Sequence, residues 1–151
     1  KYIYTDEITQ DTLTEFIESW ITGTASPLMK SEPIPKENEE KVTQLVGQTF
    51  VEFVGDEEKD VLVVFEADWC QHCQTFAETL ETLPDLSKGV SFAKINATHN
   101  DVAGHPITHY PTIKFFPKGD KSGIMFGGER TVDNLLQFIK DNQNVAKKQD
   151  L

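Results

Sequence analysis

The sequence predicts an α/β protein with a central mixed β-sheet flanked by helices, and three observations lead there. Val61, Leu62, Val63, Val64 and Phe65 form an unbroken apolar run, the pattern of a strand buried on both faces. Strand-like and helix-like periods then alternate along the chain, as connections between parallel strands require. The last two strand-like runs, residues 112–116 and 124–127, follow one another with only a turn between them, so they close as a hairpin and make the sheet mixed.

From the N-terminus, Leu13, Phe16, Ile17, Trp20 and Ile21 fall at spacings of three, one, three and one, which gives a helix with one broad apolar stripe that stops near Gly23. Such a stripe is either a core face lacking its partner strands, the plainer expectation, or a surface for unfolded chains. Pro33 and Pro35 make residues 30–35 an extended, semi-rigid connector. A short strand begins at Val42, an acidic helix is expected near residues 55–60, and the central strand follows. A long helix starts at Cys70, with Phe76, Leu80 and Leu83 spaced by four and three and with Glu78 and Glu81 on its polar side. Residues 90–95 read as a strand, a short helix is expected near Asp101, and the hairpin comes next. An amphipathic helix over 131–142, carrying Val132, Leu135, Leu136, Phe138 and Ile139, closes the order.

With 151 residues the chain holds one full domain and part of another, at about 100–150 residues per domain. Apolar residues make up 38% and charged residues 26%, which fits a globular protein. No apolar run approaches the roughly 20 residues of a membrane-spanning helix, so no membrane association is expected. A net charge of −11, with acidic clusters at 37–40 and 56–60, repels a phosphate backbone and argues against nucleic acid as a partner.

Cys70 and Cys73 are the only cysteines, and they lie in Trp69-Cys70-Gln71-His72-Cys73 between the central strand and the long helix. A helix N-terminus offers free backbone N–H groups and the positive end of the helix dipole, which both stabilise a thiolate. The thiolate is the species that attacks disulfides, so the junction is the setting a dithiol/disulfide site needs.

Together with Tyr110-Pro111-Thr112-Ile113-Lys114-Phe115-Phe116-Pro117, Leu45-Val46-Gly47-Gln48-Thr49-Phe50 and Gly128-Glu129-Arg130-Thr131, this motif closely resembles the redox-active C-terminal domain of protein disulfide isomerases over residues 38–145. The resemblance implies a thioredoxin fold. Residues 1–35, closing on Lys30-Ser31-Glu32-Pro33-Ile34-Pro35, would be the C-terminal helix and linker of a preceding thioredoxin-like domain, 36–145 the redox-active domain, and 146–151 a tail. It implies an enzyme that forms, breaks and rearranges disulfides in secretory proteins and needs no cofactor beyond its dithiol. The last residues, Lys148-Gln149-Asp150-Leu151, resemble an endoplasmic-reticulum retrieval signal, which places the protein in the lumen of that compartment and implies a longer parent chain. Expected partners are unfolded or disulfide-containing secretory proteins, a thiol oxidase of the endoplasmic reticulum or glutathione, and a retrieval receptor; a monomer is expected.

Cys70, at the helix start, is expected to be exposed and to act as the nucleophile, and Cys73, one turn in, to be shielded and to resolve the mixed disulfide, the pair forming the redox disulfide Cys70–Cys73. An imidazolium at His72 between them would favour the thiolate and make the disulfide a stronger oxidant. Trp69 is expected at the edge of the site. The resemblance implies a cis peptide at Pro111 facing the cysteines, with the backbone beside Tyr110 offered to an extended substrate. Trp69, Tyr110 and Pro111 are therefore the expected substrate-binding residues.

Departures from the family pattern bear on mechanism. Gln71 replaces the usual glycine between the cysteines, Val64 the usual buried acid five positions before the tryptophan, and Thr108 the usual arginine two positions before Tyr110. Glu66, Asp68, His105 and His109 are nearby titratable groups, expected mainly at the rim, and a negative charge at Glu66 or Asp68 would raise a cysteine pKa. Glu78 stands where the family has a helix-kinking proline, so a straighter helix is expected. These changes point to a domain that keeps dithiol chemistry but resolves slowly; the alternative is a chaperone-like client-binding domain with weak redox activity.

Cys70, Cys73, His105 and His109 also give paired ligand spacings for zinc, but the 31 residues between the pairs far exceed the finger spacing of about 12–15, so no metal is expected. Asn96-Ala97-Thr98 matches the N-glycosylation acceptor pattern, with an unmodified turn as the other reading of Asn96.

Overall fold

The computed structural model describes residues 7–25, 28–38 and 40–143. The expected tail at 146–151, with its retrieval-like signal, lies outside them. Two compact units divide the chain, residues 1–30 and 31–151.

In the first unit, α1 spans Gln10–Ile21. Thr9 opens it: Thr12 N–H donates to Thr9 Oγ1 (3.2 Å) and Thr9 N–H donates back to Thr12 Oγ1 (3.1 Å), so two N-terminal amide donors are satisfied reciprocally. Gly23, at φ 73°, follows the C-cap Thr22 and ends the helix as its spacing suggested. Leu13, Ile17, Trp20 and Ile21 of the apolar stripe are exposed.

The second unit is built on five strands: β1 Val42–Leu45, β2 Asp60–Glu66, β3 Val90–Asn96, β4 Thr112–Phe116 and β5 Ile124–Met125. Their order across the sheet is β1-β3-β2-β4-β5, with β1, β3 and β2 parallel and β4 and β5 antiparallel, the mixed sheet expected from the sequence. Helix α2 covers Gly47–Gly55, α3 Gln71–Leu86 and α4 Val132–Gln143. Alternate residues of the central strand serve opposite faces. Leu62 and Val64 pack with Phe76, Leu80 and Leu83 of α3 and with Leu135 and Ile139 of α4. Val61, Val63 and Phe65 pack with Phe50 and Val54 of α2. Burial on both faces is what makes β2 read as an unbroken apolar run.

Three expected elements are placed differently. The helix expected near residues 55–60 lies earlier, at Gly47–Gly55, where Val46 N–H donates to Thr49 Oγ1 (3.0 Å) at its start. The acidic run instead forms a turn in which Glu58 N–H donates to Asp56 Oδ1 (3.0 Å), the side-chain competition that makes aspartate a turn former. No helix forms near Asp101; the segment is irregular, with Gly104 at φ 77°. The last strand stops at Met125, two residues short of the expected end. Helix α3 is a single helix through Glu78, with Pro84 in its last turn.

Lys114, in the middle of β4, is only 7% exposed, and its Nζ lies 5.9 Å from the centre of the Phe65 ring. Burial lowers its pKa. A lysine whose pKa is depressed in the fold carries a cost at neutral pH that disappears only above the ordinary lysine range, where both folded and unfolded chains are neutral. Lys114→Met should therefore raise stability at pH 7 by about 0.5–1 kcal/mol, with the gain shrinking above about pH 10. Urea midpoints across that range check it.

Candidate functional site

The parallel strand β2 ends at Glu66, and the chain turns once before α3. Cys70 N–H donates to Ala67 O (3.0 Å), closing a turn with Asp68 and Trp69 at its middle positions. Cys70 is the N-cap of α3: Cys73 N–H reaches both Cys70 O (3.1 Å) and Cys70 Sγ (3.1 Å), and Gln74 N–H reaches Cys70 O (3.2 Å). The Cys70 sulfur thus takes the position of a capping side chain, where amide donors and the helix dipole favour negative charge. Cys70 and Cys73 are joined in a disulfide, with their Cα atoms 5.2 Å apart.

The sequence reading expected an exposed Cys70 and a shielded Cys73. In the disulfide form both are buried, at 4% and 5% exposure, in a small cluster with Ala67 against which Tyr110 packs. The bond places the two sulfurs against each other, so each covers its partner.

Strand β4 runs antiparallel to β2 with Thr112 opposite Phe65, and this register brings the preceding segment to the cysteines. The Tyr110–Pro111 peptide is cis, as the resemblance implied. Trp69, 73% exposed, meets the Tyr110 ring edge-on at 5.5 Å between centroids. The expected edge residue, within the turn that leads to Cys70, and the expected substrate-binding tyrosine are therefore in contact with each other. His72 projects from the first turn of α3 and is exposed.

The departures from the family pattern and the nearby titratable groups are placed as follows. Thr108 is exposed, with its Oγ1 3.3 Å from His109 Nδ1. His105 packs edge-on against Phe50 (5.8 Å) and Phe116 (5.1 Å), in the cluster under α2 and not in the one that holds the sulfurs. Its pKa is lowered by burial, and further by the Lys114 charge. The four zinc-spaced residues are accordingly not gathered, and among the described residues no group of three histidine, cysteine or acidic side chains is arranged to hold a metal. Val64 is fully buried in the apolar cluster beneath α3.

Glu66 is half-buried at the end of β2. Burial raises its pKa, the Lys94 charge draws it back down, and the Asp68 charge raises it further. A carboxyl raised in the fold holds its proton more tightly there than in the unfolded chain. Its stabilising contribution is therefore fully present below the unfolded value and lost as pH rises through the folded one. Glu66→Gln should make the decline in stability from about pH 4 to pH 7 shallower, as urea midpoints along that series would show; an unchanged slope would rule out this origin.

Asn96 is buried at the end of β3. It is 7% exposed, its Nδ2 donates to Asp68 Oδ1 (2.7 Å), and its Oδ1 accepts from Thr98 N–H (3.0 Å) and Thr98 Oγ1 (2.5 Å). The sequence reading missed Asn100. Only 2% exposed, it accepts at Oδ1 from Glu32 N–H (2.8 Å) and Gly47 N–H (2.9 Å), and donates from Nδ2 to Glu32 Oε2 (2.6 Å) and Asn96 O (3.0 Å). A buried amide with every bond satisfied leaves no periodic signal in a sequence.

Comparison with known proteins agrees with this geometry. Residues 41–141 match the family model described as Thioredoxin. The chain is 41% identical over 152 residues to a protein disulfide-isomerase of Aspergillus niger, covering 94% of this chain and 29% of that protein. It is 41% identical over 131 residues to one of Saccharomyces cerevisiae, covering 83% and 25%. The chain thus spans less than a third of the length of these curated relatives. Among solved structures, the first thioredoxin domain of mouse Protein disulfide-isomerase A4 superposes with a TM-score of 0.61 at 27% identity, covering 74% of this chain and 82% of that one.

Proposed function

Because this chain belongs to the thioredoxin family, we propose that its second unit is the redox-active domain of a protein disulfide isomerase, exchanging disulfides with folding secretory proteins. The observation that carries this reading is the disulfide between Cys70 and Cys73 across the N-terminus of α3, with the Cys70 sulfur in the capping position. In the reducing direction the Cys70 thiolate attacks one sulfur of a client disulfide, forms a mixed disulfide and expels one client thiolate. Cys73 then attacks the Cys70 sulfur, forms the intramolecular bond and expels the second client thiolate, so the client gains the two electrons that the dithiol loses. The reverse sequence inserts a disulfide into a client, and slow resolution leaves time for the mixed disulfide to reshuffle.

His72, exposed at the first turn, supplies positive charge to the Cys70 thiolate when protonated. Trp69, Tyr110 and Pro111 form the surface on which an extended client segment lies. Residues 1–35 belong to an upstream thioredoxin-like domain and its connector, and the exposed stripe of α1 is that domain's core face without the strands it packs on. Its relatives' disulfide-isomerase names support work on secretory proteins in the lumen of the endoplasmic reticulum, where a thiol oxidase or glutathione would recharge the dithiol.

The test is refolding of a reduced, scrambled secretory protein in a glutathione buffer, beside reduction of a disulfide-linked substrate. Recovery of native disulfides supports the reading. Suppressed aggregation without any change in disulfides would replace it with the client-binding alternative.

A further inference from the structure

Asp68 sits two residues before Cys70, in the turn that carries Trp69, and its side chain, 67% exposed, meets Asn96 and His99. Its Oδ1 accepts from Asn96 Nδ2 at 2.7 Å, and its Oδ2 lies 3.5 Å from His99 Nδ1. The amide of Asn96 is fixed in that orientation because its oxygen is engaged by Thr98. The same His99 Nδ1 is 3.7 Å from Glu32 Oε1, and the other oxygen of Glu32 is tied to buried Asn100. His99 Nδ1 thus faces two carboxylates, each hydrogen-bonded to a buried asparagine, and also lies 3.4 Å from Asn96 Nδ2. The turn closed by Cys70 N–H on Ala67 O keeps Asp68 two residues from Cys70, and burial raises the pKa of nearby Glu66, with the Asp68 charge adding to that rise.

We infer that Asp68 and His99 form a charge pair that sets the redox balance of the dithiol: Asp68 biases the site toward the disulfide, and His99 offsets that bias when it carries a proton. The physical step is electrostatic. A negative charge near Cys70 disfavours its thiolate and therefore the reduced state; an imidazolium facing the same carboxylate cancels most of that effect. His99 touches neither sulfur in this arrangement and acts through Asp68, as a positioning residue. Glu32 competes for the same imidazole, and Asn96 holds Asp68 in place.

The inference rests on the dithiol reading, and one experiment separates the two. The equilibrium in which the protein disulfide and two glutathione thiols give the protein dithiol and one glutathione disulfide is measured at low salt and about pH 6, below the ordinary imidazole value of about 6.5. Asp68→Asn keeps the acceptor for Asn96 and removes the charge; it should shift the equilibrium toward the dithiol by about two- to fivefold. His99→Gln should shift it by a similar factor toward the disulfide. The double variant should match Asp68→Asn alone, and the single-variant shifts should shrink in about 1 M salt. A purely structural role moves thermal stability without opposite shifts in this equilibrium. Single variants that shift it in the same direction, an additive double variant, or no shift with the fold intact by circular dichroism would overturn the inference while leaving the dithiol reading standing. A wild-type protein that does not exchange with glutathione would overturn the dithiol reading, and this inference with it.

Discussion

Cys70→Ser should abolish disulfide exchange, lowering turnover by about a thousandfold or more, since a hydroxyl at the same capping position remains protonated and cannot attack sulfur. Cys73→Ser should behave differently. Its Cys70 still attacks, but no neighbouring thiol expels the client, so stable mixed disulfides accumulate and survive non-reducing electrophoresis after acid trapping. This contrast matters because burial does not distinguish the cysteines: both are covered once bonded to each other. The assignment rests instead on Cys70 being the N-cap whose sulfur receives the Cys73 amide, while Cys73 lies within the first turn. If Cys73→Ser lost all reaction with clients and Cys70→Ser trapped them, the two roles would be exchanged.

The loss of a single sulfur outweighs any other change at this site because the surrounding groups act by shifting equilibria of the thiolate. A neighbouring imidazolium or a helix dipole shifts such an equilibrium by about 1 kcal/mol, or roughly a factor of five. Removing the nucleophile removes the reaction itself.

How much of this was legible in the sequence follows from which physical signals are local. The central strand was legible because burial on two faces leaves a run with no polar residue, and the structure extends Val61–Phe65 by only one residue at each end. The register between β2 and β4 was not explicit, yet the Tyr-Pro step and the Trp-Cys motif were both visible as sequence patterns, and the antiparallel pairing of Phe65 with Thr112 brings them together. Helix α2 was misplaced because it begins and ends on glycine, while the acidic run after it looks helical but is captured by the Asp56 side chain. Lys114 was missed as a core residue because charge normally signals surface; it is buried all the same, opposite Val63 of β2 and Met125 of β5. The Glu32–Asn100–Asn96–Asp68 chain joins positions up to 68 residues apart through side-chain amides, and no periodicity encodes such links.

Val64→Glu should carry the second large effect, in two opposing directions. Val64 faces α3, packs with Phe76 one turn beyond Cys73, and lies opposite Lys94 on β3 and Ile113 on β4. A carboxyl placed there loses its hydration inside an apolar cluster, so the variant should be less stable by about 2–4 kcal/mol at neutral pH. Its pKa should rise for the same reason, which fits it to accept and return a proton near neutrality. A proton acceptor beneath the helix that holds Cys73 addresses the step in which that thiol must become a thiolate to expel the client. Resolution of the mixed disulfide, followed by rapid acid quench, should therefore accelerate about tenfold, with a new pH dependence absent from the wild type. Val64→Gln supplies the steric and solvation control: it should share the stability loss and show no acceleration. If both variants resolved at the wild-type rate, Val64 would not limit resolution, and Thr108, where a positive charge could be introduced, would be the next position to test.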